Sequence, residues 1–295
     1  MRTEFSIADG IQSKNIVVSP VVGYERWDEL NPIIEYQDAL KEIREKTSGN
    51  FCVRLGSEAL DDDMISEPEY FHERMNSIID DLMLSPSNCI VLLDFGNVSK
   101  KNISALIQQA KSSISMIREY NFSKVFIGGC SMPDYIGEVV EANSTAILQR
   151  KEMLVWKAIT EDSKFFDIGF SDYGIRNSES QDNGSGKNIN GKIWYSIQNS
   201  YFVTRGHMLS EPPKGQQFKK LAESIIMSGY WSSYSSNWAD QEIFKATINT
   251  IKDLKKWIGI GTNRHIYCVL QEIAEHKQKV LAKEKLPKGL RHDQQ

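Results

Sequence analysis

The chain has no run approaching the roughly 18 consecutive apolar residues that a membrane-spanning helix requires. Its opening residues, MRTEFSIADG, lack the apolar centre of a secretory signal. Both absences lead us to expect a cytoplasmic protein with no membrane partner. Cysteine is scarce: Cys52, Cys89, Cys130 and Cys268 are the only four, with no CxxC spacing. Neither a disulfide framework nor a thiolate zinc site is legible, and the four read as small buried hydrophobes. The five histidines form no HxH or HExxH pattern, so no dedicated metal centre is expected. The Rossmann GxGxxG, the P-loop with its Lys-Ser/Thr end and the GxSxG elbow are all missing. Lysine is absent from the strand ends, because Lys124 and Lys192 fall at strand starts, which disfavours Schiff-base chemistry. No cofactor is implied. Positive charge is not in excess either: 35 Lys and Arg against 39 Asp and Glu leave a net charge of -4. A protein that coats nucleic acid presents a basic field, so that role is not favoured.

What the chain does have is a series of short apolar runs, each ending in a polar residue: FCVRLGS, CIVLLDFG, KVFIGGCSMP, FFDIGFSDYG and YFVTRG. IVVSPVVG (16–23) adds an earlier one. Between them lie helical patterns. DALKEIREKTSG stops at Gly49, EPEYFHERMNSIIDDLMLSPSN runs to Pro86, and Ile103, Leu106, Ile107, Ala110, Ile114 and Ile117 repeat at helical period. A further helical stretch is expected from Ile136 to Thr160. Strands alternating with helices predict parallel pairing through right-handed crossovers. NSESQDNGSGKNING then reads as a polar loop, and KIWYSIQ and YFVTRG lie close enough for a hairpin. From Pro213 onward the pattern is helical. The expected fold is α/β, a distorted TIM-like barrel with a hairpin irregularity and added C-terminal helices. One domain is expected over residues 1–275, followed by a basic, solvated tail over 276–295 that offers a possible but unfavoured nucleic-acid contact.

Residues at strand ends are where α/β folds place their chemistry. Arg54, Asp94, Ser131, Asp172 and Arg205 are the candidates. Ser131 has no base beside it in the sequence and drops out. A buried arginine needs an anion. Arg54 is expected either to pair with a carboxylate such as Asp94 or to take a phosphate or carboxylate ligand. Asp167 competes with Asp172, since strand alternation turns only one of them inward, and the small Gly169 and Ser171 favour Asp167. His265 and His207 are the histidines best placed for a site. GYWSSYSSNWADQ gathers Tyr230, Trp231, Tyr234 and Trp238 without helical period and is a candidate for recognition.

In order along roughly residues 50 to 275, IVLLDFG, FIGGCSMP, RKEMLVWKAI, FSDYGI, INGKIWYSI with FVTRG, KGQQFKKLAESIIMSGYW, NWADQEI and GTNRHIYCVLQEI resemble the phage beta protein family. Its members occur in prophages, phage satellites and bacterial defence islands. The resemblance implies an α/β barrel and a role in anti-phage defence or toxin control beside a protein partner from the same cassette, with no reaction to carry over. The positions that match its motifs are Asp94, Asp172, Tyr173, Arg205, Gly206, Gln217, Trp238, Asp240 and His265. MRTEFSIADGIQSKN lacks the family's early Lys-rich, Gly-Glu motif, so the first barrel strand is expected to be divergent or absent.

Two functions follow as expectations. The first is a binding component, with Arg54 and Arg205 taking a small anionic or phosphate-bearing ligand and Asp94 and Asp172 orienting them, Tyr173, Trp238, Asp240 and His265 completing the set. The second is a metal-assisted hydrolase of a phosphodiester or nucleotide, in which Asp94 and Asp172 hold a divalent ion and His265 serves as acid or base. A third, a structural assembly subunit, would associate through the aromatic segment.

Overall fold

The apolar runs become strands. In the computed structural model, which describes residues 19–27, 33–46, 50–177, 189–212 and 216–285, they are β1 (Val21–Gly23), β2 (Cys52–Leu55), β3 (Ile90–Asn97), β4 (Lys124–Cys130), β5 (Ser144–Gln149), β6 (Gly169–Asp172), β7 (Asn190–Ile197) and β8 (Ser200–Met208). A five-stranded parallel sheet has the order β1-β2-β3-β4-β6, with Val21 opposite Cys52 and Cys52 opposite Ile90. A three-stranded antiparallel sheet has the order β5-β8-β7. The described strands do not close into a barrel. The expected helix from Ile136 instead contains β5, which pairs antiparallel with β8, and only then α4 (Lys151–Thr160). Asn143, at φ +57°, turns the chain into β5.

The chain divides into two compact units. The first takes the chain up to Phe95, Gln108–Gly128 and Asp167–Ser171. It holds α1 (Ile33–Lys46) and α2 (Pro68–Asp81). Pro68 opens α2 where a missing N–H costs nothing, and Phe71, Met75 and Ile78 recur at i, i+4 and i+7 as its buried stripe. Helix α3 (Ile103–Ile117) buries Leu106, Ala110, Ile114 and Ile117 at the predicted period.

The second unit comprises Gly96–Ile107, Gly129–Phe166 and the chain from Asp172 onward. Its β7–β8 hairpin turns at Gln198 and Asn199, with Asn199 at φ +58°, a conformation asparagine tolerates. Alternation gives each face of the hairpin its own core. Ile193, Tyr195, Ile197 and Phe202 pack with α5 (Gln217–Met227), α6 (Trp238–Ile248) and α7 (Leu254–Lys285) through Phe218, Ile225, Ile243 and Trp257. Tyr201, Val203 and Trp194 face the other way, toward Cys130, Met132, Ile136 and Val140. α7 runs through the expected tail boundary: His276 is buried, bonded to Thr160 at 2.9 Å with its ring against Trp156. The rest of that tail, the start of the 16–23 run and most of the Asn177–Gly191 loop lie outside the described residues.

Candidate functional site

Arg54, from β2, donates Nε to Asp94 on β3 at 2.6 Å, with Asp94 buried and the Arg54 side chain 39% exposed. This is the ion pair expected as one of the two readings of Arg54, and it lies in the first unit. Asp167 does not face inward. It sits before β6 on the surface and pairs with Arg118 at 2.8 Å, because the strand begins only at Gly169. Asp172 takes the inward role. The four cysteines are buried thiols, and burial pushes those of Cys52 and Cys268 up to about 11.

Asp172 anchors a hydrogen-bonded line in the second unit. His265 on α7 meets Asp172 Oδ2 through Nε2 at 2.7 Å and Ser196 Oγ on β7 through Nδ1 at 2.9 Å. Gly174 N–H donates to Asp172 Oδ1 at 2.9 Å, which its φ of +68° allows. Burial alone would raise Asp172, but the hydrogen bond and charge of His265, then Gly174 and Arg150, hold its carboxyl below the ordinary value. The ring of Tyr201 stacks on His265 at 5.8 Å and its hydroxyl donates to the Gly174 carbonyl. Ser196 has no exposed surface, which denies a Ser-His-Asp nucleophile access to a substrate. Tyr173 is partly buried beside this group.

Two residues that the sequence did not single out lie close by. Glu152, near the start of α4, accepts the hydroxyl of Ser131 on one oxygen and has no partner on the other. Ser131 thus has the acidic neighbour that it lacked in sequence. Burial, against the Ser131 bond and with the charge of Asp172 adding to it, pushes Glu152 up to about 7. One carboxylate held ionised beside one poised near neutrality can store a proton. Arg150, fully buried, donates to Glu272 on α7 and to the Ile197 carbonyl at 3.0 Å, while its Nε and Nη1 have no partner.

Arg205 is separate from all of these. It is buried on β8, with Nη1 on the Val140 carbonyl and Nη2 on Asn190 Oδ1 at 3.2 Å. Nε is unpartnered, and the other two nitrogens meet a carbonyl and an amide oxygen in place of a carboxylate. The aspartate expected to orient Arg205 is therefore not found beside it among the described residues. Its cross-strand partner is Lys192. Like charges directly opposite each other oppose the pairing. Burial, with the Arg205 charge adding to it, holds the Lys192 ammonium below the ordinary lysine value. Lys192 lines a cavity of about 330 Å³ together with residues that follow β4 and β6, including Asp134, Ile136, Ile175 and Arg176. Asp134 is already engaged by Lys100 at 3.5 Å and by the amides of Asn97 and Asn177.

The remaining motif positions have packing roles. Asp240, fully buried on α6, accepts from Tyr195 at 2.8 Å and pairs with Arg264 at 3.4 Å. Gly191 and Gly206 accept the Gln217 side chain so closely that a Cβ on Gly206 would lie 1.9 Å from its amide oxygen. Trp238 and Tyr234 are exposed, and Tyr234 meets Phe244 edge-on at 5.4 Å. His207 lies near the end of β8 beside Glu211 at 3.7 Å. No group of three or more His, Cys, Asp or Glu is placed to hold a metal ion among the described residues, and no described helix is long and apolar enough to cross a membrane.

Fold and site define a mixed α/β protein whose second unit carries two cations opposite each other on a hairpin, with Lys192 in a cavity wall. A family model described as Beta protein matches residues 4–271, and the chain belongs to that family. No curated protein and no solved structure gives a significant match.

Proposed function

We propose that this chain is a cytoplasmic binding component that recognises an anionic ligand in the cavity of its second unit, within an anti-phage defence or toxin-control system. The observation that carries the binding role is the Lys192–Arg205 pair: two cations opposite each other on β7 and β8, short of a carboxylate, with Lys192 in a cavity wall. A bound anion supplies the missing charge and reverses the desolvation penalty on Lys192. Arg205 acts from behind, holding Asn190 in place. The residues differ from those expected: Arg54 is engaged with Asp94, and Asp172 with His265. The defence setting comes from the family resemblance.

Ligand that binds only the folded state raises the thermal midpoint. Titrating the protein with phosphate and with a small organic phosphate should raise it in a saturable way with at least one of them, and Lys192→Met should remove that response while folding normally. If neither moves the midpoint of the parent, or the variant responds equally, the reading fails. In a host carrying the whole cassette, the same variant is expected to lose protection in a plaque assay. The protein-partner reading has an observation of its own, the exposed Tyr230, Tyr234 and Trp238.

A further inference from the structure

Resting on that reading, we infer that the ligand is an aromatic organic anion, a flat ring bearing one carboxylate or phosphate group, and not inorganic phosphate or a polyphosphate chain. The cavity wall is mixed in a particular way. Lys192 and Arg176 supply positive charge, while Ile136, Ile175, Ile258, Trp194 and Trp257 supply an apolar lining with two indoles. An inorganic anion would leave that lining dry and unused, and further charges would be pressed against isoleucine and tryptophan at a desolvation cost. Asp134 on the same wall adds a like charge that opposes a polyanion.

Size supports the same class. About 330 Å³ is at the lower end of the 300–1,000 Å³ typical of ligand sites, room for one ring and its anionic group. The ring has surfaces to meet. Trp257 is already stacked on Phe218 at 5.4 Å, and Trp194 stands edge-on to Tyr201 at 5.5 Å, so both indoles are fixed before any ligand arrives. Fixed aromatic walls bind flat rings at little cost in conformational entropy.

Calorimetric titration of the full chain with phenyl phosphate, benzoate, inorganic phosphate and phenol tests this. Phenyl phosphate or benzoate should bind at least ~10-fold more tightly than inorganic phosphate, as burial of a ring predicts, and more tightly than phenol. Lys192→Met should weaken the aromatic anions by ~10-fold or more. Ile258→Asn, at a position exposed enough to tolerate it, should weaken the aromatic anions and leave inorganic phosphate unchanged. Which of phenyl phosphate and benzoate binds better identifies the anionic group. If inorganic phosphate binds as tightly as the aromatic anions and depends on Lys192, the aromatic class is overturned and the anion reading stands. If phenol matches the anions, if Lys192→Met changes nothing, or if no probe binds, the anion reading falls and this inference with it.

Discussion

At the scale of single residues, the second unit concentrates polar atoms that burial has left under strain. Glu152 is the clearest. Its folded value of about 7 stands above the 4.5 of the free side chain, so the folded state binds this proton more tightly. The stability it contributes is fully present below about 4.5 and is lost as pH rises to about 7. The size is on the order of 3 kcal/mol. Glu152→Gln keeps an acceptor for Ser131 and cannot ionise. Urea denaturation should therefore show the variant gaining on the parent between pH 5 and pH 8, and a constant difference would contradict the assignment. Glu272 is the opposite case, a carboxylate that Arg150, Lys157 and the Asn199 N–H hold ionised despite its burial. Glu272→Ala strands the Arg150 charge and should cost ~3–5 kcal/mol in the same assay. Little of this was legible. RKEMLVWKAI reads as a helix with charges at its start, and nothing in a helical period says that Arg150 and Glu152 turn inward. Ser131 is not recognisable as a site residue in the sequence because its partner lies 21 residues on.

At the scale of elements, the hairpin does most to build the site. Its two-residue turn fixes the register, so Ile197 faces Ser200 and, five residues further, Lys192 faces Arg205. That pairing was not readable from the sequence: with KIWYSIQ ending at Gln198 and YFVTRG starting at Tyr201 the register would set Lys192 opposite His207, and the turn at Gln198 and Asn199 sets it opposite Arg205. The alternation that buries Ile193, Tyr195 and Ile197 does put Lys192 on the same face as Trp194. What hid it was the search for site residues at strand ends, whereas Lys192 comes at a strand start. β5 was not legible, because STAILQ fits a helix as well as an edge strand and only its pairing with β8 decides. The family positions Gly206 and Gln217 also find their explanation here. Gly206→Ala would drive a methyl into the buried Gln217 amide and should cost ~1–3 kcal/mol. Adding Gln217→Ser should recover part of that loss in a double-mutant cycle, and strict additivity would contradict the packing account.

At the scale of the whole molecule, the parallel sheet, the helical additions and the family were readable from ordered motifs, while the barrel expected from them is not what the described strands form. Strand and helix periods specify neighbours in sequence, and closure depends on which strand meets which edge. The account's central claim is that an anion completes the Lys192–Arg205 pair. It is tested most directly by following the titration of the Lys192 side chain by nuclear magnetic resonance, assigned through Lys192→Arg, with and without phenyl phosphate. Without ligand, Lys192 should titrate below the ordinary lysine value, as burial and Arg205 dictate. With ligand, it should move upward, because the bound anion favours the charged form. A lysine that titrates at its ordinary value and does not respond to the ligand would contradict the claim.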